Sequence, residues 1–524
     1  MHLNREVYGR ALVDKSTPSR RRLLATAAAV AANPAWAQSG DVRLRRDGAE
    51  RALPARTLGF NTPANNAIPF EDPAYAPAVK AIAPHYLRFP GGTVANYYNW
   101  RTGQLDVTDY PDGSIYRKFM IAKMVPATLK AHPNGVFYDR FHAFAEQVGA
   151  DVVMLPNLET STEANEAARF QAMAARGLVP SHIEMGNEFY HALVMDPETL
   201  KIFPDWKTSL ARTHRYLEAI RPSLRKDARI AVQAASSRLH HPDASPPDDP
   251  RALKERQWDD AMAPEPWFDA VTAHLYPALS RSAGLKAMAD IPGNVGMIYP
   301  AMLARADEGY DRSLSDTAAR MPGKEIWVTE WGGFETENTL GTSNVKFDGM
   351  WLHQVTRSLM SQLRRREVTV SNYHALFARG DMSSVLKVGP GEPKYTPVNS
   401  AGVLHWFFAA TRGPDAHYQR VRVEGSQRIA AHGTIDGEGF RDVEAALLRQ
   451  GRRRTLFVHN AWDTPHGLNL GDLVGATTPL IADVVATPDL LKVYHDGVPA
   501  VTPLPTQRGV TAPAHSLTRV RWTA

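Results

Sequence analysis

Between positions 56 and 412 the chain alternates two hydrophobic rhythms. Short, nearly continuous apolar runs recur as "TLGFN", "HYLRFP", "DVVMLPNL", "HIEMGNE", "RIAVQAA", "FDAVTAHLYP", "EIWVTEW" and "VTVSNYHALF". Runs without polar alternation predict strands buried on both faces, as in parallel sheets. Stretches such as "YDRFHAFAEQVG", "EANEAARFQAMAARG" and "WKTSLARTHRYLEAIRPSL" lie between them, with apolar residues spaced for one helix face. Eight such strands parted by helices over roughly 350 residues predict an α/β chain, a (β/α)8 TIM barrel with insertions. A doubly wound open sheet is the runner-up, but no Gly-rich dinucleotide turn follows the first strand.

Past the apolar helix "AGVLHWFFAAT" the rhythm changes. From about 413 to 524, short runs such as "AHYQRVRVEG", "DVEAALLRQ", "TLFVHN", "LIADVVAT" and "SLTRVRWTA" are parted by Gly, Pro, Asn and Asp. That pattern predicts an all-β sandwich, to which "DVRLRRDG" within 38–55 adds a strand.

Composition and charge narrow the function. The net charge of +5 is uneven: residues 1–37 carry six basic against two acidic side chains, and the rest is nearly balanced. A phosphate-binding surface needs concentrated positive charge, so nucleic acid is not an expected partner. The runs 364–366 and 452–454 read as solvated arginines. "SRRRLLATAAAVAANPAWA" has paired arginines, a short Ala-rich apolar run and a small-x-small ending at Ala35-Trp36-Ala37, which resembles a bacterial twin-arginine signal spanning 1–37. A periplasmic or secreted protein, with no membrane association after cleavage, is the expectation. There is no cysteine, so disulfides and thiolate metal sites are excluded.

In a (β/α)8 barrel the functional groups gather at the C-terminal ends of the strands, whose loops share one face. There the sequence places Arg88, Asn157, Asn187-Glu188, His274 with Tyr276, Glu330-Trp331, and Asn372 with His374. Glu188 and Glu330, on the fourth and seventh strands, suit a pair working on opposite sides of one bond. Two carboxylates with divided roles are what glycoside hydrolysis requires, one protonated to donate and one ionised. Arg88 and Tyr276 are expected to hold Glu330 ionised by hydrogen bonding. Met185, Phe189 and Tyr190 are expected to surround Glu188 and favour its protonated form. Asn187 would bind a sugar hydroxyl, and Tyr97, Tyr98, Trp100 and Trp331 would offer flat apolar faces to sugar rings. Each residue also has a bland reading: a salt-bridged carboxylate, a glycine turn at Gly91-Gly92, packed aromatics. Glu184 is expected to be a buried structural partner deeper in the barrel. No metal-binding spacing involves His85, His274 or His374, and no metal or other cofactor is expected.

"LRFPGGTVANYYNW", "IEMGNE", "AHLYP" and "IWVTEWGG", in this order, resemble the retaining glycoside hydrolases of clan A. The chain is similar in layout to the α-L-arabinofuranosidases of family 51, the β-xylosidases of family 39 and the heparanase-like β-glucuronidases of family 79. The resemblance implies Glu188, after Asn187, as acid/base, Glu330 as nucleophile, and Tyr276 as the tyrosine contacting the nucleophile. It implies an exported retaining glycosidase acting on oligo- or polysaccharides, with α-L-arabinofuranosidase-like action foremost. The alternatives are a heparanase-like enzyme reading uronic acids through Arg379, Lys387 and Lys394, or a non-catalytic carbohydrate-binding protein.

Overall fold

A computed structural model describes residues 41–524 except 67, 109–116, 119, 190–204, 236–249, 277–290, 333–347, 378–384, 389–391, 398–400, 433–436, 492–499 and 507–508. Residues 1–37, expected to form an export signal, therefore lie outside the described residues, as do Tyr190 and Arg379.

Eight strands close into a barrel: β1 (Leu58–Asn61), β2 (Tyr86–Phe89), β3 (Asp151–Met154), β4 (His182–Met185), β5 (Arg229–Gln233), β6 (Ala270–Leu275), β7 (Glu325–Trp331) and β8 (Val368–Tyr373). Every neighbouring pair is parallel, including β8 with β1, so no edge is left open. Helices such as Tyr138–Val148, Glu163–Ala174 and Trp206–Ile220 cover the strands, and their buried residues fall on one stripe each. Asp205 caps the last of these by accepting from Thr208 N. Because both faces of each strand are covered, apolar residues dominate them, which is why the unalternating runs were readable.

Inside the barrel, alternate residues point to the axis. Tyr86, Val153, Ala231, Ala270, Trp327 and Val370 form a closed apolar layer. Two residues further along their strands stand Arg88, Gln233, Thr272 and Thr329, and with Glu184 of β4 they make a polar layer, each 2% exposed or less. β7 then breaks its alternation. Ala273 pairs with Val328, but His274 pairs with Glu330, so Thr329 is an extra residue in the strand. A bulge of this kind re-aims side chains. Here it turns both Thr329 and Glu330 toward the barrel axis.

Ten strands of a second sheet run Val501–Leu504, Ile481–Ala486, Ser516–Thr523, Arg453–Asn460, Val443–Gln450, Ala416–Glu424, Val42–Arg46, His466–Asn469, Val510–Ala512, with Arg51–Ala52 beside Ala416–Glu424. The long strand Ala416–Glu424 joins the two layers of the sandwich. Its first half pairs with Val443–Gln450 and its second half with Val42–Arg46. Both layers contribute to one core that includes Val42, Leu44, Leu447, Val458, Leu468, Val510 and Val520. Phe407 of the helix Ala401–Thr411 stacks on Phe457 at 4.1 Å. Of the arginines at 364–366, Arg366 is solvated but Arg364 is not. Arg364 joins Arg357 in pairing with Asp307 and Glu444, a part-buried network tying barrel helices to the sheet.

Candidate active site

Arg88 organises the mouth of the barrel. Its guanidinium has no exposure and donates four hydrogen bonds: Nε and Nη2 to Glu184 at 2.6 and 2.9 Å, Nη2 to Asn187 Oδ1 at 2.8 Å, and Nη1 to Glu330 Oε1 at 2.7 Å. A planar fork is the side chain that can span three acceptors in this way. Tyr276 donates to the other oxygen of Glu330 at 3.0 Å. Burial works against the charge of Glu330, but His274, Arg88 and His374 outweigh it and hold its pKa below the ordinary glutamate value. Glu184 is likewise held down against its burial, chiefly by Arg88.

His274 links the acids. Nδ1 lies 2.8 Å from Glu188 Oε1, and Nε2 lies 3.2 Å from the Thr329 hydroxyl, which donates to Glu184 at 2.9 Å. Burial would lower the pKa of His274, yet the charges of Glu330, Glu184 and Glu188 push it up to about 9. The ring is therefore an imidazolium at neutral pH, donating from both nitrogens.

Glu188 stands on a backbone of φ 52°, a left-handed conformation uncommon for a residue with a side chain. Its N–H donates to the Gln233 side chain, and its carboxyl side chain is 21% exposed. The expected apolar shell is not what it meets. Met185 and Phe189 are buried in the core behind it, while its carboxylate meets His274. Strain of this kind concentrates where a side chain must be held in one orientation. Oxygens of Glu188 and Glu330 and a nitrogen of His274 all lie within 4.8 Å of one another. Among the described residues these three are the one group whose spacing fits a metal ion. A metal ion there would have to displace the proton that the neighbouring carboxylates hold on His274.

Asn187 spends Oδ1 on Arg88, and its buried Nδ2 has no partner among the described residues. Asn96 clamps this turn, donating to Asn187 O at 2.8 Å and accepting from Asn187 N at 3.2 Å. On the far side, His374 Nδ1 lies 2.8 Å from Asn61 Nδ2 and 3.9 Å from Glu330 Oε2. Gly91 and Gly92 have φ of 65° and 64°, and a Cβ on Gly92 would stand 3.5 Å from Glu330 Oε1.

Five sequence expectations need correction. Asn157 is absorbed by its own turn: it accepts from the backbone of Glu159 and Thr160, and donates to Thr160 and Tyr98 O. Tyr98 is 1% exposed, with its hydroxyl on Val136 O and its ring edge-on to Phe89, so no face is open to a sugar. Trp331 is 2% exposed against Tyr373. Trp100 is half-buried, but Arg101 covers its ring at 4.4 Å and its N–H is bonded to Asn165. Tyr97 is also buried. The chain after β2 makes a short 3-10 turn and a two-stranded hairpin, which folds these aromatics back against the barrel. Lys394 pairs with Asp72 at 2.5 Å, and the side chain of Lys387 lies outside the described residues. His85 is a core residue that accepts from Thr57 N. The sequence reading passed over Gln233, Asn61, Asn96 and Thr329. Gln233 and Asn61 each end a barrel strand, which was the available signal.

No protein-family model matches the sequence, and no curated protein matches it. Solved structures do. A family 51 α-L-arabinofuranosidase from Bifidobacterium longum superposes with a TM-score of 0.62 at 14% identity, covering 92% of this chain and 99% of that one. The family 51 arabinofuranosidase from Xanthomonas axonopodis pv. citri gives 0.58 at 14% identity, covering 92% and 100%. The α-L-arabinofuranosidase from Thermotoga maritima, in an arabinose complex, gives 0.57 at 13% identity, covering 93% and 100%. The chain therefore has the fold of the family 51 arabinofuranosidases, a TIM barrel with a β-sandwich, over nearly its whole described length.

Proposed function

We propose that the chain is a retaining glycoside hydrolase of the clan A type, exported to the periplasm or beyond, and α-L-arabinofuranosidase-like in its action on oligo- or polysaccharides. One observation carries the reading: Glu188 and Glu330 bring carboxylate oxygens within 4.8 Å of each other across the barrel mouth. Retaining enzymes hold their carboxyls about 5–5.5 Å apart, whereas inverting enzymes leave about 6.5–9.5 Å for a water. Glu330, held ionised by Arg88, His274 and Tyr276, attacks the anomeric carbon. Glu188 protonates the departing oxygen, then takes a proton from the water that releases the sugar. Arg88 offsets the charges of Glu184 and Glu330, and His274, 2.8 Å from Glu188 Oε1, is placed to share a proton with that carboxyl as it changes roles. The free Nδ2 of Asn187 is placed to bind an oxygen of the sugar beside the reacting carbon.

The fold's likeness to family 51 supports the choice of sugar, and the paired arginines and small-x-small ending within 1–37 support export. The test is hydrolysis of aryl α-L-arabinofuranoside, β-D-xyloside, β-D-glucoside, β-D-galactoside and β-D-glucuronide by wild type and Glu330→Gln. Cleavage of the arabinofuranoside, lost in Glu330→Gln, supports the reading. Activity that survives the substitution overturns the assignment of the nucleophile, and cleavage of the glucuronide alone overturns the sugar.

A further inference from the structure

A second concave site lies far from the carboxylates, where the last barrel helix meets the outer sheet. A cavity of about 510 Å³ is lined by Trp406, Ala409 and Ala410 of the helix Ala401–Thr411 and by residues of Val443–Gln450, Arg453–Asn460 and Ser516–Thr523. That volume falls within the roughly 300–1,000 Å³ of small-ligand sites. A helix following β8 runs back from the mouth, so positions 406–410 lie toward the opposite end of the barrel. The cavity is thus not an extension of the candidate active site.

Its lining is one-signed. Arg453, Arg454, Arg519 and Arg521 all contribute, and no aspartate or glutamate does. The pairing across strands explains the crowding: Thr455 stands opposite Arg521, and Arg453 opposite Thr523, so the arginines of two strands share one end of the sheet. Asp483, behind the lining, accepts from Arg519 at 2.8 and 2.7 Å and from Arg521 at 2.8 Å. One carboxylate thus fixes two arginines and neutralises one charge. Arg519 is further locked over the Trp406 ring at 4.0 Å. Arg454 bonds only backbone carbonyls, of Gly451 and Arg453; the acid that acts on it, Glu50, is itself held by Arg449, and no salt bridge to Arg453 or Arg454 occurs among the described residues. The lining is apolar at Trp406, Ala410 and Leu448, with Trp522 at its edge and Gln450 and Thr455 adding polar groups. Pre-ordered guanidinium groups beside an apolar lining suit a ligand with carboxylates on a compact ring, because guanidinium binds carboxylate through parallel hydrogen bonds.

We propose that this cavity is an anchoring site for a uronic-acid-bearing saccharide, binding the polymer without cutting it. The choice of a saccharide over an acidic peptide rests on the glycosidase reading of the barrel.

The test is calorimetric titration of the full chain with hexagalacturonate, a neutral hexasaccharide and hexaglutamate, in wild type and in Arg453→Ser/Arg454→Ser. Both positions reach solvent at the sheet's end, and neither belongs to the catalytic cluster. The expected result is that hexagalacturonate binds best, weakens with added salt, and loses affinity roughly tenfold or more in the double variant. Aryl-glycoside hydrolysis should be unchanged in that variant. The proposal is overturned if the variant binds hexagalacturonate as wild type does, if the neutral hexasaccharide or hexaglutamate binds as well, or if no uronide binding is measurable. Hydrolysis of the aryl glycosides is scored separately, so failure of the glycosidase reading would show as inactivity whatever the titration gives.

Discussion

Arg88→Lys keeps the charge at the centre of the site and removes the fork that distributes it. Arg88 reaches Glu184, Asn187 and Glu330 at once, with bonds of 2.6 to 2.9 Å and no exposure to water. An ammonium is a single point that cannot span those three groups. If it stays with Glu184, the deeper partner, the contacts to Glu330 and Asn187 are lost, and buried groups have no water to replace them. A hydrogen bond to a charged group contributes about 1.5–3 kcal/mol, so loss of the Glu330 contact alone corresponds to roughly 10–150-fold in kcat/KM. A second effect has a definite sign. Arg88 is among the charges that hold Glu330 below the ordinary glutamate value. Moving that charge away raises the pKa of Glu330, so the acidic limb of the pH–rate profile shifts to higher pH. The assay is kcat/KM for the cleaved aryl glycoside against pH, with circular dichroism to confirm folding. A folded Arg88→Lys enzyme within about twofold of wild type, with an unmoved acidic limb, would refute this account of how Glu330 is kept ionised.

Further outcomes follow from other contacts. His274, with its pKa raised from 6.5 to about 9, contributes stability that is fully present below pH 6.5 and is lost as pH rises through 9. That is on the order of 3 kcal/mol, and thermal melts across this window should flatten in His274→Asn. Glu188→Ala should lose most activity on substrates with poor leaving groups, and azide should restore turnover on an activated aryl glycoside by replacing the water that Glu188 activates. Gly92→Ala puts a side chain on a backbone of φ 64° and against Glu330. It should cost about 1 kcal/mol or more of stability and lower kcat, both read on one purified variant. Tyr98→Phe removes the hydroxyl that donates to Val136 O. Denaturant titration should show a loss of about 1 kcal/mol, with kcat and KM unmoved, because the ring is packed in the core.

The barrel was legible because a strand covered on both faces has little choice of residue, and the runs from "TLGFN" to "VTVSNYHALF" each contain an observed strand. The positions of Arg88, Asn187, Glu188, Tyr276 and Glu330 were legible for the same reason, since strand ends fix where side chains sit. Which way a side chain turns just past the strand was not legible. Asn157 closes a turn on its own backbone, and Tyr98 and Trp100 belong to a hairpin that folds back on the barrel. Nor does strand periodicity disclose the bulge at Thr329, which brings Glu330 to the axis where simple alternation would turn it outward. The bond between His274 and Glu188 joins β6 to the loop after β4, with β5 between them, so no local pattern encodes it. The arginines at 364–366 show the same limit: as a charge run they read as solvated, yet Arg364 is held by two acids distant in sequence.

The most direct measurement is to trap the covalent intermediate. The protein is incubated with the activated 2-deoxy-2-fluoro analogue of whichever aryl glycoside it cleaves, then digested and analysed by mass spectrometry. Double displacement through Glu330 predicts one sugar per chain, carried on the peptide containing Glu330 and absent in Glu330→Gln. A label on Glu188, or time-dependent turnover with no label and an inverted first product, would contradict it.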